Sequence, residues 1–237
     1  EVLKDLPDKI EKNMAARMEQ KQKELYHAHA QRLALMLQNQ TEEEFADSRF
    51  QVLSELTRLR QLCCDPALVY ENYEGGSAKL DLCIELIQSA VESGHKILLF
   101  SQFTSMIEIL TARLQEESIS CFVLQGSTKK EQRAQMVEQF NRDDTSVFCI
   151  SLKAGGTGLN LTGADIVIHY DPWWNVAVEN QATDRAHRIG QKNVVTVYKL
   201  IAKGTIEEKI IKLQQMKKEL AEEILSGDEI KTASFQR

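Results

Sequence analysis

No glycine in this chain is followed by lysine, so the G-x-x-x-x-G-K-[ST] loop that cradles nucleotide phosphates is absent. G-x-G-x-x-G is missing too: the run Gly155-Gly156-Thr157-Gly158 leads to Leu161 where the last glycine would be needed. The single Asp-Glu dipeptide, Asp228-Glu229, lies in a polar tail and not after a buried strand, so no obvious carboxylate pair stands ready for Mg2+. No apolar run approaches the ~20 residues of a membrane-crossing helix, and no signal peptide is visible. The five cysteines, Cys63, Cys64, Cys83, Cys121 and Cys149, contain no C-x-x-C pair, and their odd number argues against a disulfide framework. They read as thiols in a reducing compartment, Cys63 and Cys64 as two buried ones, with no structural zinc. The net charge of −6 provides no global basic field for nucleic acid, although a local groove can still be basic. What is present is ample apolar material: 43% of 237 residues, including 8 Phe, suffices for one large domain or a domain with an appendage. The chain opens on Glu1-Val2-Leu3 without a methionine and is expected to be a segment of a longer protein.

The first stretch, from Leu6 to about Leu62, reads as helix throughout, being rich in Ala, Gln, Glu, Lys, Leu and Met. Thr41 and Glu44 form a capping-box pattern that opens a second helix running through Phe45, Val52, Leu53, Leu56 and Leu59. Cys64-Asp65-Pro66 ends it, and the polar stretch Glu71 to Ser77 looks like a joint. His27 and His29 are expected on solvated faces.

From Ser77 the pattern alternates. Helix 78–92, ended by Gly94, precedes a buried strand from Lys96 to Ser101. A helix through Met106, Ile107, Leu110 and Leu114 follows. Strand Cys121–Leu124 leads to helix 129–140, and strand Val147–Ser151 leads to the Gly-rich turn. Strand Ile166–Tyr170 leads to helix 176–187, and strand Val194–Ile201 leads to a long helix, 205–225. Short continuous apolar strands alternating with helices predict an α/β fold, a mainly parallel sheet covered on both faces in three layers. Ligands of such sheets bind at the carboxyl ends of the strands. Those ends carry Ser101-Gln102, then Gln125-Gly126-Ser127-Thr128, then Ser151 to Asp165, then Asp171-Pro172-Trp173-Trp174-Asn175. Small and hydroxyl residues in turns let backbone N–H groups approach an anion. Any one of these turns is ordinary; several on one edge suggest a site.

The stretch Gln181 to Gln191, QATDRAHRIGQ, carries Arg185 and Arg188 three residues apart, with Gln181 four residues ahead. On a helix these three side chains share a face. Two guanidinium forks on one face suit a phosphate; by spacing alone a solvated charged face fits equally well. Without a phosphate-cradling lysine, arginines of this kind stabilise charge on a phosphoryl group held elsewhere. The residues therefore point to half of an ATPase site.

The ordered set resembles the second RecA-like lobe of superfamily-two helicases, specifically the Swi/Snf-type DNA translocases. ILLFSQF (97–103) is similar to motif IV, LQGSTKKEQR (124–133) to the next motif, ISLKAGGTGLNLTGAD (150–165) to motif V and QATDRAHRIGQ to motif VI. LRQLCCDPAL (59–68) resembles the stretch before this lobe, with Cys63-Cys64-Asp65-Pro66 where many members have Cys-Asn-His-Pro. GTIEEKI (204–210) looks like the closing helix that braces both lobes. The resemblance covers nearly the whole chain. It implies a helical, protrusion-like extension and linker over 1–76, a RecA-like lobe over 77–203, and a brace helix with tail over 204–237. It implies that Arg185 and Arg188 reach the γ-phosphate of ATP, that Gln181 orients them or the attacking water, and that Gly156, Gly158 and Asp184 lie beside the nucleotide. ATP and Mg2+ would be held mainly by a first RecA-like lobe outside this chain. Ser101, Gln102, Ser127, Thr128, Lys153 and Trp174 become candidates for contact with double-stranded DNA; Trp173 fits a packed aromatic better. His187 is expected to be a packed or capping residue. A DNA-bound protein is a further expected partner, a membrane is not, and the expected location is the bacterial cytoplasm, or a nucleus in a eukaryote. Two other readings share the fold: a strand-separating helicase, and an interaction module without chemistry, against which the intact Gln181, Arg185 and Arg188 argue. A free-standing Rossmann enzyme is opposed by the missing G-x-G-x-x-G.

Overall fold

Apolar runs with no polar side can be accommodated only in a sheet covered on both faces, and four such runs pair here with a fifth, more mixed strand. A computed structural model of the chain describes residues 5–154 and 159–234. Strands β2 (Ile97–Ser101), β3 (Cys121–Leu124), β4 (Val147–Ser151), β5 (Ile166–His169) and β6 (Val195–Ala202) all run parallel. Each lies within a residue of its expected bounds. Helices α4 (Ala78–Glu92), α5 (Thr104–Glu116), α6 (Lys130–Arg142), α7 (Val176–Thr183) and α8 (Ile206–Ser234) connect and follow them.

Side chains alternate across each strand, and the core divides accordingly. Ile97, Leu99, Cys149, Ile168 and Leu200 face one side, where α4 and α5 cover them with Ile84, Ile87, Met106 and Leu110. Leu98, Phe100, Phe148, Ile150, Val167 and Val197 face the other, against Phe140 of α6 and Ala182 of α7. The architecture is the expected three-layer α/β sandwich of RecA-like type.

The amino-terminal region corrects the all-helix expectation. Residues Lys9–Ala16 form a strand, β1, that joins the sheet at its edge beside β6, giving the order β1-β6-β5-β2-β4-β3. The register runs from Lys9 opposite Val195 to Ala16 opposite Ala202. Helix-favouring Lys, Glu, Met and Ala are overridden there by the ladder that β6 offers, because strand preference depends on context more than helix preference does. Helix α1 (Gln20–Gln38) follows. The capping box at Thr41 and Glu44 is present, but the helix it opens is α2 (Glu42–Asp47); α3 (Arg49–Cys64) starts anew after Ser48. The Ser48 hydroxyl donates to Gln40 and to the Phe45 carbonyl, the local competition by which serine interrupts helices. α1 and α3 pack Tyr26, Leu33, Val52, Leu59 and Leu62 together and onto Ala202 and Ile206. His29, expected in solvent, is buried and bonds through Nε2 to the Tyr70 hydroxyl at 2.6 Å.

A buried ion pair fastens the ends of the fold together. Lys79 at the start of α4 donates to Glu207 in the first turn of α8, and both are essentially inaccessible. Burial alone disfavours the Lys79 ammonium, but the Glu207 carboxylate outweighs it and holds the Lys79 pKa above its ordinary value. Glu207 also accepts the Ala202 N–H at 2.8 Å. Among the described residues no helix is long and apolar enough to cross a membrane.

Candidate functional site at the carboxyl edge of the sheet

Every strand of a parallel sheet ends on the same edge, and the polar turns converge there. Asp171, after β5, is 1% exposed and closes the middle of that edge. Its carboxylate accepts the Ser101 hydroxyl on one oxygen and the Gln102 N–H, at 3.2 Å, on the other. Burial raises the Asp171 pKa, against the opposing effect of the Ser101 bond. Ser101 and Gln102 are thus buried at the end of β2, so the side chains read from sequence as surface contacts shape the edge from within. Among the described residues the Gln102 amide nitrogen is buried without a partner.

The next turn is closed locally. The Thr128 N–H donates to the Gln125 carbonyl, and the Thr128 hydroxyl accepts the Gln125 N–H, both at 3.1 Å. α6 begins only after Lys129, so Thr128 ties the turn and does not cap the helix. Gly126 and Ser127 are exposed. Arg133, to which sequence reasoning gave no role, reaches back from α6: Nε donates to the Thr128 carbonyl at 3.0 Å, Nη1 to Ala154 at 2.9 Å, and Nη2 to Gln125 and Gly126 at 3.3 Å. One guanidinium therefore couples the 125–128 turn to the approach of the Gly-rich turn. Gly156 and Gly158 lie outside the described residues, as does the Lys153 side chain. Beyond them, Asn141 of α6 donates to the Asn160 carbonyl at 2.8 Å and accepts the Gly163 N–H at 3.0 Å. A side chain at Gly163 would meet the Asn141 Cα at 3.0 Å. Gly163→Ala is therefore expected to lower stability by about 1–3 kcal/mol, an overpacking cost, measurable as a reduced denaturant midpoint.

The paired arginines do not share a helix face, which corrects the expected helix 176–187. α7 stops at Thr183, and Asp184, exposed, is its C-cap. Past its end the turn is held by tertiary donors: the Arg185 carbonyl accepts the Leu161 N–H at 2.8 Å, and the Ala186 carbonyl accepts Gln191 Nε2 at 3.0 Å. Gln191 also donates to Ala164 at 2.7 Å and Thr162 at 3.2 Å, so this buried amide welds the arginine-bearing turn to the segment after the glycines. It closes the quoted motif, but spacing gave no hint of the role. Arg185 lies with its guanidinium carbon 5.5 Å from the Phe100 ring centre, and one of its terminal nitrogens is buried without a partner among the described residues. Burial, then the neighbouring Arg133, lowers its pKa. A guanidinium with an unmet donor beside a second cation is an arrangement that an oxyanion satisfies. Arg188 is half-buried, with one 3.4 Å bond to the Leu159 carbonyl. Gln181 is exposed on α7, and among the described residues no hydrogen bond joins it to either arginine. His187 bonds the Pro7 carbonyl at 2.7 Å, a packing role as expected.

The helicase conserved C-terminal domain matches residues 78–190, and the SNF2-related domain matches residues 1–68. The C-terminal domain of a Sulfolobus solfataricus SWI2/SNF2 ATPase superimposes over 92% of this chain and 90% of its own, with a TM-score of 0.75 and 33% identity. The chain belongs to the Snf2 family. It forms the family's C-terminal helicase lobe. The core of the Sulfolobus enzyme in complex with double-stranded DNA matches 95% of the chain at 34% identity, TM-score 0.78. An uncharacterised ATP-dependent helicase of Mycoplasma pneumoniae is 41% identical over 231 residues, and a putative ATP-dependent helicase/translocase of Bacillus subtilis is 40% identical over 235. The chain spans 22% and 25% of those two proteins.

Proposed function

We propose that this Snf2-family lobe completes an ATP site whose phosphates are held by a first RecA-like lobe, and that the pair moves along double-stranded DNA. The observation that carries this reading is Arg185: a partly buried fork with an unmet donor, at the ligand edge of a sheet whose chain has no P-loop. Arg185 and Arg188 would meet charge developing on the γ-phosphate, and Gln181, free on its surface, would orient them or the attacking water. Gly156, Gly158 and Asp184 would border the nucleotide. ATP with Mg2+ supplies the phosphoryl group and would be held mainly by the first lobe. The exposed Ser127 and the adjoining Thr128, with Lys153 and the half-buried Trp174, would face the DNA backbone, while buried Ser101 and Gln102 shape that surface. Contacts of this kind bind without reading sequence. The Arg133 and Gln191 bonds would transmit the state of the nucleotide edge to the DNA-facing turn, so that hydrolysis alters grip. A DNA-bound protein would be displaced by such movement.

Two measurements check this. A full-length enzyme that translocates is expected to displace a triplex-forming strand without unwinding the duplex; efficient strand displacement would favour the strand-separating reading. Duplex affinity of this lobe alone is expected to be weak and steeply salt-dependent, each neutralised phosphate adding about 0.9 to the log–log slope. Salt-independent binding would remove the phosphate-contact assignment.

A further inference from the structure

Arg60 is charged, buried and incompletely bonded. It stands on α3, in the amino-terminal helical region, and is 7% exposed. Its guanidinium carbon lies 5.6 Å from the ring centres of Trp173 and Trp174 and 5.8 Å from that of Phe103. Nη2 donates to the Pro172 carbonyl at 3.4 Å, while Nε is buried without a partner among the described residues. Packing alone does not favour this: an apolar side chain would fill the place and leave no donor unmet. What guanidinium adds is a flat cation that lies on aromatic faces and holds a carbonyl at once.

The three rings belong to two turns of the carboxyl edge. Phe103 follows Gln102 at the end of β2, and Trp173-Trp174 follow Asp171 at the end of β5. Asp171 already ties these turns by bonding Ser101 and Gln102. Arg60 adds a second tie, and it comes from outside the sheet. The Trp173–Trp174 turn is otherwise held by the Trp173 N–H to Glu179, at 2.7 Å, and by Gln214 of α8 on the Trp173 carbonyl. Trp174 itself packs against the α1–α3 core. α3 thus meets the edge through the Cys64 carbonyl, which accepts the Tyr170 hydroxyl at 2.8 Å, and through one arginine seated on both tryptophans.

We propose that Arg60 is a positioning residue that sets the Trp173–Trp174 turn for duplex DNA, so that the amino-terminal helical region tunes the DNA grip of the lobe. The inference rests on Trp174 facing DNA, as proposed above. Its action is on grip, not on the phosphoryl group, because Arg60 touches the aromatic turn and not the Arg185–Arg133 cluster.

The test is ATP turnover of the full-length enzyme titrated with duplex DNA, for wild type, Arg60→Met and Arg60→Lys. Arg60→Met is expected to raise the DNA concentration for half-maximal turnover about tenfold, with a roughly twofold or smaller effect on the saturated rate. Arg60→Lys keeps the charge but not the flat fork and is expected to fall between. Trp173 and Trp174 are the only two tryptophans in the 237 residues, so intrinsic emission of this chain reports the turn alone. Wild-type emission should change on adding duplex DNA, and Arg60→Met should make the tryptophans more open to acrylamide quenching. An unchanged DNA midpoint in a folded Arg60→Met enzyme overturns the proposal, as does a loss confined to the saturated rate. If Arg60→Met does not fold, a wild-type midpoint in Arg60→Lys overturns it. A wild-type enzyme that duplex DNA does not stimulate brings down the functional reading as well. A stimulated wild type with an indifferent Arg60→Met brings down this inference alone.

Discussion

Arg188→Ala in the full-length enzyme is expected to lower DNA-stimulated ATP turnover by about 10³-fold or more, the scale of a missing arginine finger. The fold should survive, because Arg188 contributes little to it: the side chain is half-open to solvent and, among the described residues, makes one long bond to the Leu159 carbonyl. Steady-state turnover at saturating duplex DNA measures the first effect, and thermal melting by circular dichroism measures the second. Arg185 requires a different substitution. Stacked on Phe100 and partly buried, it also packs, so alanine would mix two effects. Arg185→Lys keeps the positive charge and loses the bidentate fork, and is expected to lose turnover with less cost to stability. Normal turnover in Arg188→Ala would remove the finger assignment.

The second large effect is structural. Lys79→Met is expected to destabilise the chain by about 3–5 kcal/mol, because it strands the Glu207 carboxylate in the interior. Among the described residues the Ala202 N–H is then the remaining donor to the Glu207 carboxylate, one oxygen of which already has no partner there. Replacing both members, as Lys79→Met with Glu207→Leu, should restore most of the loss, since a buried ion pair contributes little over an apolar pair of similar size. Urea denaturation of the two variants decides it. A loss near zero in the single mutant would mean that water reaches this pair. The pair bonds the first turn of α8 directly to the start of α4.

Much of the fold could be read from sequence, because β2 to β5 are short and almost wholly apolar, and β6 departs from that only at Thr196, Tyr198 and Lys199. The bounds of β3, β4 and α4 follow from where those runs stop. β1 could not be read. Its eight residues contain Ile10 and Met14 among charges, and what makes them a strand is the edge of β6, a partner nearly 190 residues away in sequence. The site shows the same division. Arg185 and Arg188 were legible as a pair, but the helix expected to align them ends at Thr183, and the bonds from Leu161 and Gln191 that hold the turn beyond it come from distant segments. Ser101 and Gln102 were legible as polar strand-end residues; that Asp171 draws them inward depends on β2 and β5 being neighbours. Arg133, Arg60 and Gln191 gave no local signal, because each acts by bonding or stacking on residues far along the chain. Periodicity reports what a residue's own element requires. It does not report the tertiary bonds that tie one turn to another.

The central claim is that this chain supplies the arginine half of a divided ATP site. Its most direct test is ATP turnover with duplex DNA by three preparations: this chain alone, the first lobe of its own full-length protein alone, and the two mixed. The account predicts no appreciable turnover from this chain alone and a DNA-dependent rise on mixing, which Arg188→Ala in this chain abolishes. Turnover by the purified chain alone, or a mixed rate indifferent to Arg188, would contradict it.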